Sequence, residues 1–190
     1  MLAASESELQ EMMDRMERAC KKYELQINSE KTKAMTTSET LCNIRCGNSV
    51  MEQVDTYAYL GSRIIKDGDC GKEIRSRLAK GYAITTQLKS LWQNHGIANT
   101  TKVKLLRPLV WPVVTYGCKS WTMRKRDETK IRAFEMKCLG HVLHISWIEG
   151  KTNEWVLHKA KTERQLLQSI RKRKLTYFGH MIRKKEESLE

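Results

Sequence analysis

Apolar and polar positions change period several times along the chain. Leu9, Met12, Met13, Met16 and Ala19 recur at helical spacing and predict an amphipathic helix to about Tyr23 with one buried face. Ser5 is placed to cap its free N–H groups, and Glu8, three residues on, to close a capping box. Leu25-Gln26-Ile27-Asn28 alternates and turns at Asn28-Ser29-Glu30. The threonine-rich residues 31–37 read as a strand. Residues 41–46 alternate again up to Gly47-Asn48, a hairpin signal, and residues 49–54 return. Residues 57–65 form one more extended stretch, stopped at Asp67-Gly68-Asp69. Residues 1–70 therefore read as one helix followed by a small antiparallel sheet.

From Gly71 onward the period is helical. Ile74, Leu78, Tyr82, Thr85, Leu88, Leu91 and Trp92 mark one face over about 22 residues, ended by Asn94-His95-Gly96. Asn99 or Thr100 is placed to cap a second helix through Leu105, Leu106 and Leu109, which Pro112 breaks or kinks. Tyr116-Gly117 and Trp121 fall in a short extended connection. Asp127 starts a helix carrying Ile131, Phe134, Met136, Cys138, Leu139, Val142 and Leu143. Residues 152–160 predict a short helix, and 163–183 a last one interrupted near Gly179. The expected class is α+β: helix and small sheet in 1–70, then a mainly α-helical half in 71–190.

Charge sharpens this division. The 190 residues carry a net charge of +13, with a pI near 9.6. Residues 1–60 hold seven Lys/Arg against ten Asp/Glu, and residues 61–190 hold 28 against 12. An excess placed so unevenly points to a polyanionic partner on the second part, nucleic acid being the commonest. Its basic runs are Arg124-Lys125-Arg126, Arg171-Lys172-Arg173-Lys174 and Arg183-Lys184-Lys185. Interleaved with Trp121, Trp147, Trp155, Tyr177 and Phe178, they suit phosphate contacts plus stacking; taken singly, each run suits a solvated helix face equally well.

Other chemistry is weakly supported. Cys138, His141 and His144 stand at intervals of three, with Cys118 or His158 as a conceivable fourth ligand, but the tight paired spacings of structural zinc sites are missing, and the plainer reading is a core cysteine and two ordinary histidines. There is no G-x-S-x-G, no H-E-x-x-H and no phosphate-binding glycine loop. The five aspartates are Asp14, Asp55, Asp67, Asp69 and Asp127. Two-metal nucleotidyl transfer needs clustered carboxylates, whereas Asp67 and Asp69 flank a glycine and read as turn formers. Six scattered cysteines without a C-x-x-C pair, and the lack of a long apolar run, predict free thiols in a reducing compartment, nuclear or cytoplasmic, not secreted and with no membrane partner.

An ordered series of segments resembles the reverse transcriptase of non-LTR, LINE-like retrotransposons of the endonuclease–reverse transcriptase type. Leu2-Ala3-Ala4-Ser5-Glu6 and the helix after it resemble the segment just beyond the family's Y/F-A-D-D motif. Leu25-Gln26-Ile27-Asn28-Ser29-Glu30-Lys31-Thr32-Lys33 is similar to its L-x-I-N-x-x-K-T-K segment, and Tyr57-Ala58-Tyr59-Leu60-Gly61-Ser62 to F-x-Y-L-G-S. Tyr116-Gly117-Cys118-Lys119-Ser120-Trp121-Thr122 resembles Y-G-x-E-x-W-T, and Phe134 to Cys138, Ile145-Ser146-Trp147, Thr152-Asn153-Glu154 and Phe178-Gly179-His180 complete the order.

The resemblance implies the tail of a palm with a primer-grip hairpin in 1–70 and a thumb in 71–190. It implies that Lys31 lies near the nucleotide's phosphates and assists the leaving pyrophosphate. Tyr59, Leu60 and Gly61 would form the primer grip, and the helices would hold the duplex through Arg124, Lys125, Arg126, Arg171, Lys172, Arg173 and Lys174. The partners implied are an RNA template and a DNA primer. The departures also carry weight. The chain starts just after the point where the catalytic aspartates would stand, Lys119 replaces an acidic residue, and His141 stands in a stretch that is often arginine-rich. The expectation is a fragment of an RNA-directed DNA polymerase that is inactive alone, binds no cofactor by itself and uses magnesium only within the complete enzyme. Lacking the central palm strands, residues 25–65 are expected to be poorly supported. The alternatives are a domesticated, non-enzymatic basic nucleic-acid-binding protein and a relic without a role.

Overall fold

The computed structural model describes residues 1–187. The class is α+β, as the periodicities predict, and the chain divides into two compact units, Met1–Asp69 and Cys70–Glu190.

In the first unit α1 spans Glu6–Lys22. Ser5 caps it, its hydroxyl accepting the Glu8 N–H at 3.2 Å. The reciprocal half of the box is displaced by one residue, since Glu8 Oε2 accepts the Ala4 N–H at 2.8 Å. The expected buried face is only partly covered: Met13 is buried and Leu9 packs beside it, while Met16 and Ala19 are exposed. The strands form three two-stranded ladders. β1 (Lys33–Ala34) pairs in parallel with β4 (Glu52–Gln53), and β2 (Arg45–Cys46) pairs antiparallel with β3 (Ser49–Val50) across the expected Gly47-Asn48 turn. Met13, Ala34, Ile44 and Met51 make the small core.

Residues 57–65 are not one extended stretch. β5 (Thr56–Tyr59) folds back on β6 (Ser62–Ile65) through a two-residue turn at Leu60-Gly61. Both turn residues have positive φ, 48° and 74°, the geometry that matches the right-handed twist of paired strands.

The second unit is helical. The face over 71–92 forms α2 (Gly71–Gln87) and α3 (Lys89–Gln93), separated at Leu88. α4 (Asn99–Leu109) starts after Ala98, so neither Asn99 nor Thr100 is the cap. Pro112 opens α5 (Trp111–Val114), where its missing N–H has no partner to lose. α6 runs Lys125–Val142, α7 Asn153–Ala160 with Thr152 as its cap, and α8 Leu166–Glu187 without interruption at Gly179. α6 buries Ile131, Phe134, Cys138, Leu139 and Val142 along one stripe, against α2, α4, α7 and the buried start of α8. Gly81 is where α2 meets α5: a Cβ there would lie 2.3 Å from Val114 Cγ2.

Candidate nucleic-acid interface

In the first unit, Lys31 sits in the turn after Asn28. The Asn28 side chain accepts the Lys31 N–H at 3.0 Å, and its carbonyl accepts the Thr32 hydroxyl at 2.7 Å. That local bonding holds the backbone while the Lys31 side chain stays exposed. Neighbouring Lys33, by contrast, is tied to Glu52.

Tyr59, Leu60 and Gly61 form the tip of the β5–β6 hairpin, with Tyr59 55% and Leu60 73% exposed. Directly opposed residues of an antiparallel pair share a face. Tyr57, opposite Ile64, and Tyr59, opposite Ser62, therefore stand on the same side, and this face is largely open. Lys66 and Asp55 pair at 2.9 Å at the hairpin's base, which pushes the Lys66 ammonium above its ordinary range.

In the helical unit the basic runs are split by the fold. Arg124 is the N-cap of α6, and its N–H donates to Asp127 Oδ2 at 3.3 Å. Asp127 is fully buried within α6's first turn and also receives Lys130 at 3.2 Å, so it anchors the helix start. Lys125 and Arg126 are exposed. On α8, Arg171 binds Glu128 at 2.7 Å and holds that carboxyl below its usual range. Arg173 donates to the Thr115 hydroxyl at 2.6 Å, and Lys174 donates to the Trp121 carbonyl. Of that run Lys172 points outward with its charge available.

The aromatics divide in the same way. Trp121 is buried in the core and offers no face for stacking. Trp155 is half-exposed between the ammonium groups of Lys151 and Lys159, 5.1 Å and 4.9 Å from its ring centre. Lys119 lies over Tyr177 at 5.8 Å, and Phe178 is exposed. The side chains of Trp147 and Lys185 lie outside the described residues.

The triplet Cys138, His141 and His144 goes to three separate environments. Cys138 is buried beside the Thr85 hydroxyl at 3.6 Å, and burial pushes its thiol up to about 11. His144 Nε2 meets the Trp92 carbonyl at 3.1 Å. His141 lies edge-on to Tyr82, its pKa lowered first by burial and then by His144 and Lys89. Asp67 accepts the Asp69 N–H at 2.9 Å, a turn contact. Among the described residues no three His, Cys, Asp or Glu gather where they could hold a metal ion. No described helix is long and apolar enough to cross a membrane.

One basic feature has no counterpart in the charge runs. α6 carries a second stripe, Arg132, Ala133, Met136, Lys137 and Gly140, opposite its core stripe. With Tyr82 of α2, the first turn of α7 and Arg164 it lines an open groove of about 1120 Å³. Arg132, Lys137, Lys151 and Arg164 stand around it against one carboxylate, Glu154. The Lys137 ammonium lies 3.8 Å from the centre of the Tyr82 ring. Arg132 is 4.0 Å from Glu128, a loose contact between partly exposed groups. These cations are isolated in sequence. Their signal there is the i, i+5 spacing that places Arg132 and Lys137 on the outer side of α6.

No known protein-family profile matches the chain, and no solved structure does. An uncharacterized transposon-derived protein of Caenorhabditis elegans is 25% identical over 193 residues, spanning 92% of this chain and 65% of the relative's own length. That similarity supports a transposon origin.

Proposed function

We propose that these residues belong to a transposon-encoded RNA-directed DNA polymerase of the non-LTR type, and that their part in it is to grip primer–template nucleic acid. The observation that carries the reading is the concentration of positive charge in one folded unit. Residues 70–190 hold 26 Lys/Arg against ten Asp/Glu, and exposed cations stand along α6, α7 and α8. The ordered retroelement-like segments and the transposon-derived relative support it. The exposed hairpin tip at Tyr59, Leu60 and Gly61 suits a second contact, because its backbone turn projects with little side-chain bulk at Gly61. The reading assigns these residues binding and routes no chemical step through them; magnesium and nucleotidyl transfer belong to the complete enzyme.

The test is binding of the purified chain to a recessed RNA–DNA primer–template across several salt concentrations. Affinity should fall steeply as salt rises, with a log–log slope of about one for each phosphate neutralised. Lys172→Ala should lower that slope by about one at unchanged melting temperature, whereas Arg173→Ala and Lys174→Ala should lower stability. Affinity independent of salt would overturn the reading.

A further inference from the structure

We infer that the groove between α2, α6 and α7 is a binding site for single-stranded polynucleotide, separate from any surface that holds duplex. The inference rests on the nucleic-acid reading above and names the form of the ligand. Two properties of the groove select it. The first is charge: Arg132, Lys137, Lys151 and Arg164 surround it against Glu154, which complements a run of phosphates. The second is its floor, made of Ala133, Met136 and Val156 with the Tyr82 ring. A duplex keeps its base faces stacked inside and presents phosphates, sugars and base edges, so it has no base face to lay on an aromatic floor. A single strand has base faces to lay on that floor and phosphates for the rim. At about 1120 Å³ the groove also has the scale of a cleft that swallows a flexible ligand, not of a cradle for a double helix.

The Tyr82–Lys137 contact supplies a mechanism. In the free protein the Lys137 ammonium covers the ring at 3.8 Å. Base–aromatic stacking is stronger than an exposed cation–π contact. An arriving base takes the ring face, and Lys137, on its flexible stem, moves outward to the adjoining phosphate. One residue thus shields the aromatic surface when empty and neutralises the ligand when filled. Thr152 and the first N–H groups of α7, at the same rim, add donors for a phosphate oxygen.

The experiment compares the full chain binding a labelled oligothymidylate of about 12 nucleotides, within the span such sites cover, with binding of a blunt duplex of the same length. Tyr82→Leu keeps an apolar side chain at the position and removes the stacking face. Arg132→Glu with Lys137→Glu reverses charge on exposed positions, and far-UV circular dichroism with melting confirms that each variant is folded. The expected result is a loss of about fivefold or more for the single strand with Tyr82→Leu, with duplex affinity unchanged. The charge reversal should weaken the single strand more than the duplex. Equal losses on both probes, or no loss on either, would overturn the inference while leaving the nucleic-acid reading standing. Absence of binding by the unaltered chain to either probe would remove both.

Discussion

Leu60 shows how much a single residue can carry. Its φ of 48° lies in the left-handed region, where an L side chain is strained by roughly 1 kcal/mol. Asn and Gly are the usual residues of such two-residue turns. Leu60→Asn should therefore stabilise the hairpin by about 0.5–1 kcal/mol, read as a higher melting temperature, and a lower one would show that Leu60 makes a compensating contact. Glu135 is the second case. One of its oxygens accepts the Gln165 and Leu166 N–H groups at 2.8 Å and 3.0 Å at the start of α8, while buried Oε2 has no partner. Burial, the largest influence, pushes the carboxyl above its ordinary 4.5. The folded state therefore holds this proton more tightly than the unfolded one, and stability falls as pH rises from about 4.5 through the raised value. Glu135→Gln should flatten that part of the pH–stability curve and melt at or above the parent temperature at neutral pH; an unchanged slope would exclude Glu135 as its source. Neither effect is legible in the sequence, because burial and backbone partners decide both.

At the level of elements, periodicity served best where one stripe is buried. The short helix α7, the Gly47-Asn48 hairpin and the core stripe of α6 all lie where their patterns place them. It served worst where local chemistry competes with pattern. Residues 57–65 read as one extended stretch, yet Leu60-Gly61 closes a turn within it. The break expected at Pro112 falls at Val110, and Pro112 itself sits in the first turn of the helix that follows. Nor does any pattern announce that α1 serves as a surrogate partner for the chain at 43–47. Glu6, Gln10 and Glu17 accept the N–H groups of Asn43, Arg45 and Gly47 at 2.9, 2.8 and 3.1 Å, and Gln10 also donates to the Arg45 carbonyl at 3.0 Å. Gly81 makes the sharpest element-scale prediction. An added methyl must displace Val114 and crowd Phe134, whose Cζ would be 3.1 Å away. Gly81→Ala should destabilise the helical unit by about 1–3 kcal/mol despite its higher helix propensity, and a stabilised variant would mean that α5 can move.

For the whole molecule, the balance of buried surface separates the two units. Among the described residues Met1–Asp69 has a buried cluster of four apolar side chains, whereas the helical unit has a cluster of twenty. Short ladders held by so small a core should open at lower free energy. Amide hydrogen exchange is predicted to be faster across residues 33–65 than in the middle of α2 and α6, and uniform protection would show that the strands draw support from elsewhere. Charge follows the same division, so binding that depends on salt should track the helical unit.

By itself the sequence determined the class of fold, the place where its character changes and the sign and location of its charge. These follow from composition and from periods of two and 3.6, which local geometry imposes on any chain. Tertiary structure decided which charges face outward. Arg173 and Lys174 look like phosphate ligands in the linear run and are tied to Thr115 and the Trp121 carbonyl, while Lys172 just before them stays out. It also assembled a groove from Tyr82, Arg132, Lys137, Lys151 and Arg164, five residues on four segments. A site of that kind is defined by distances across the fold, and those exist only once the helices have packed.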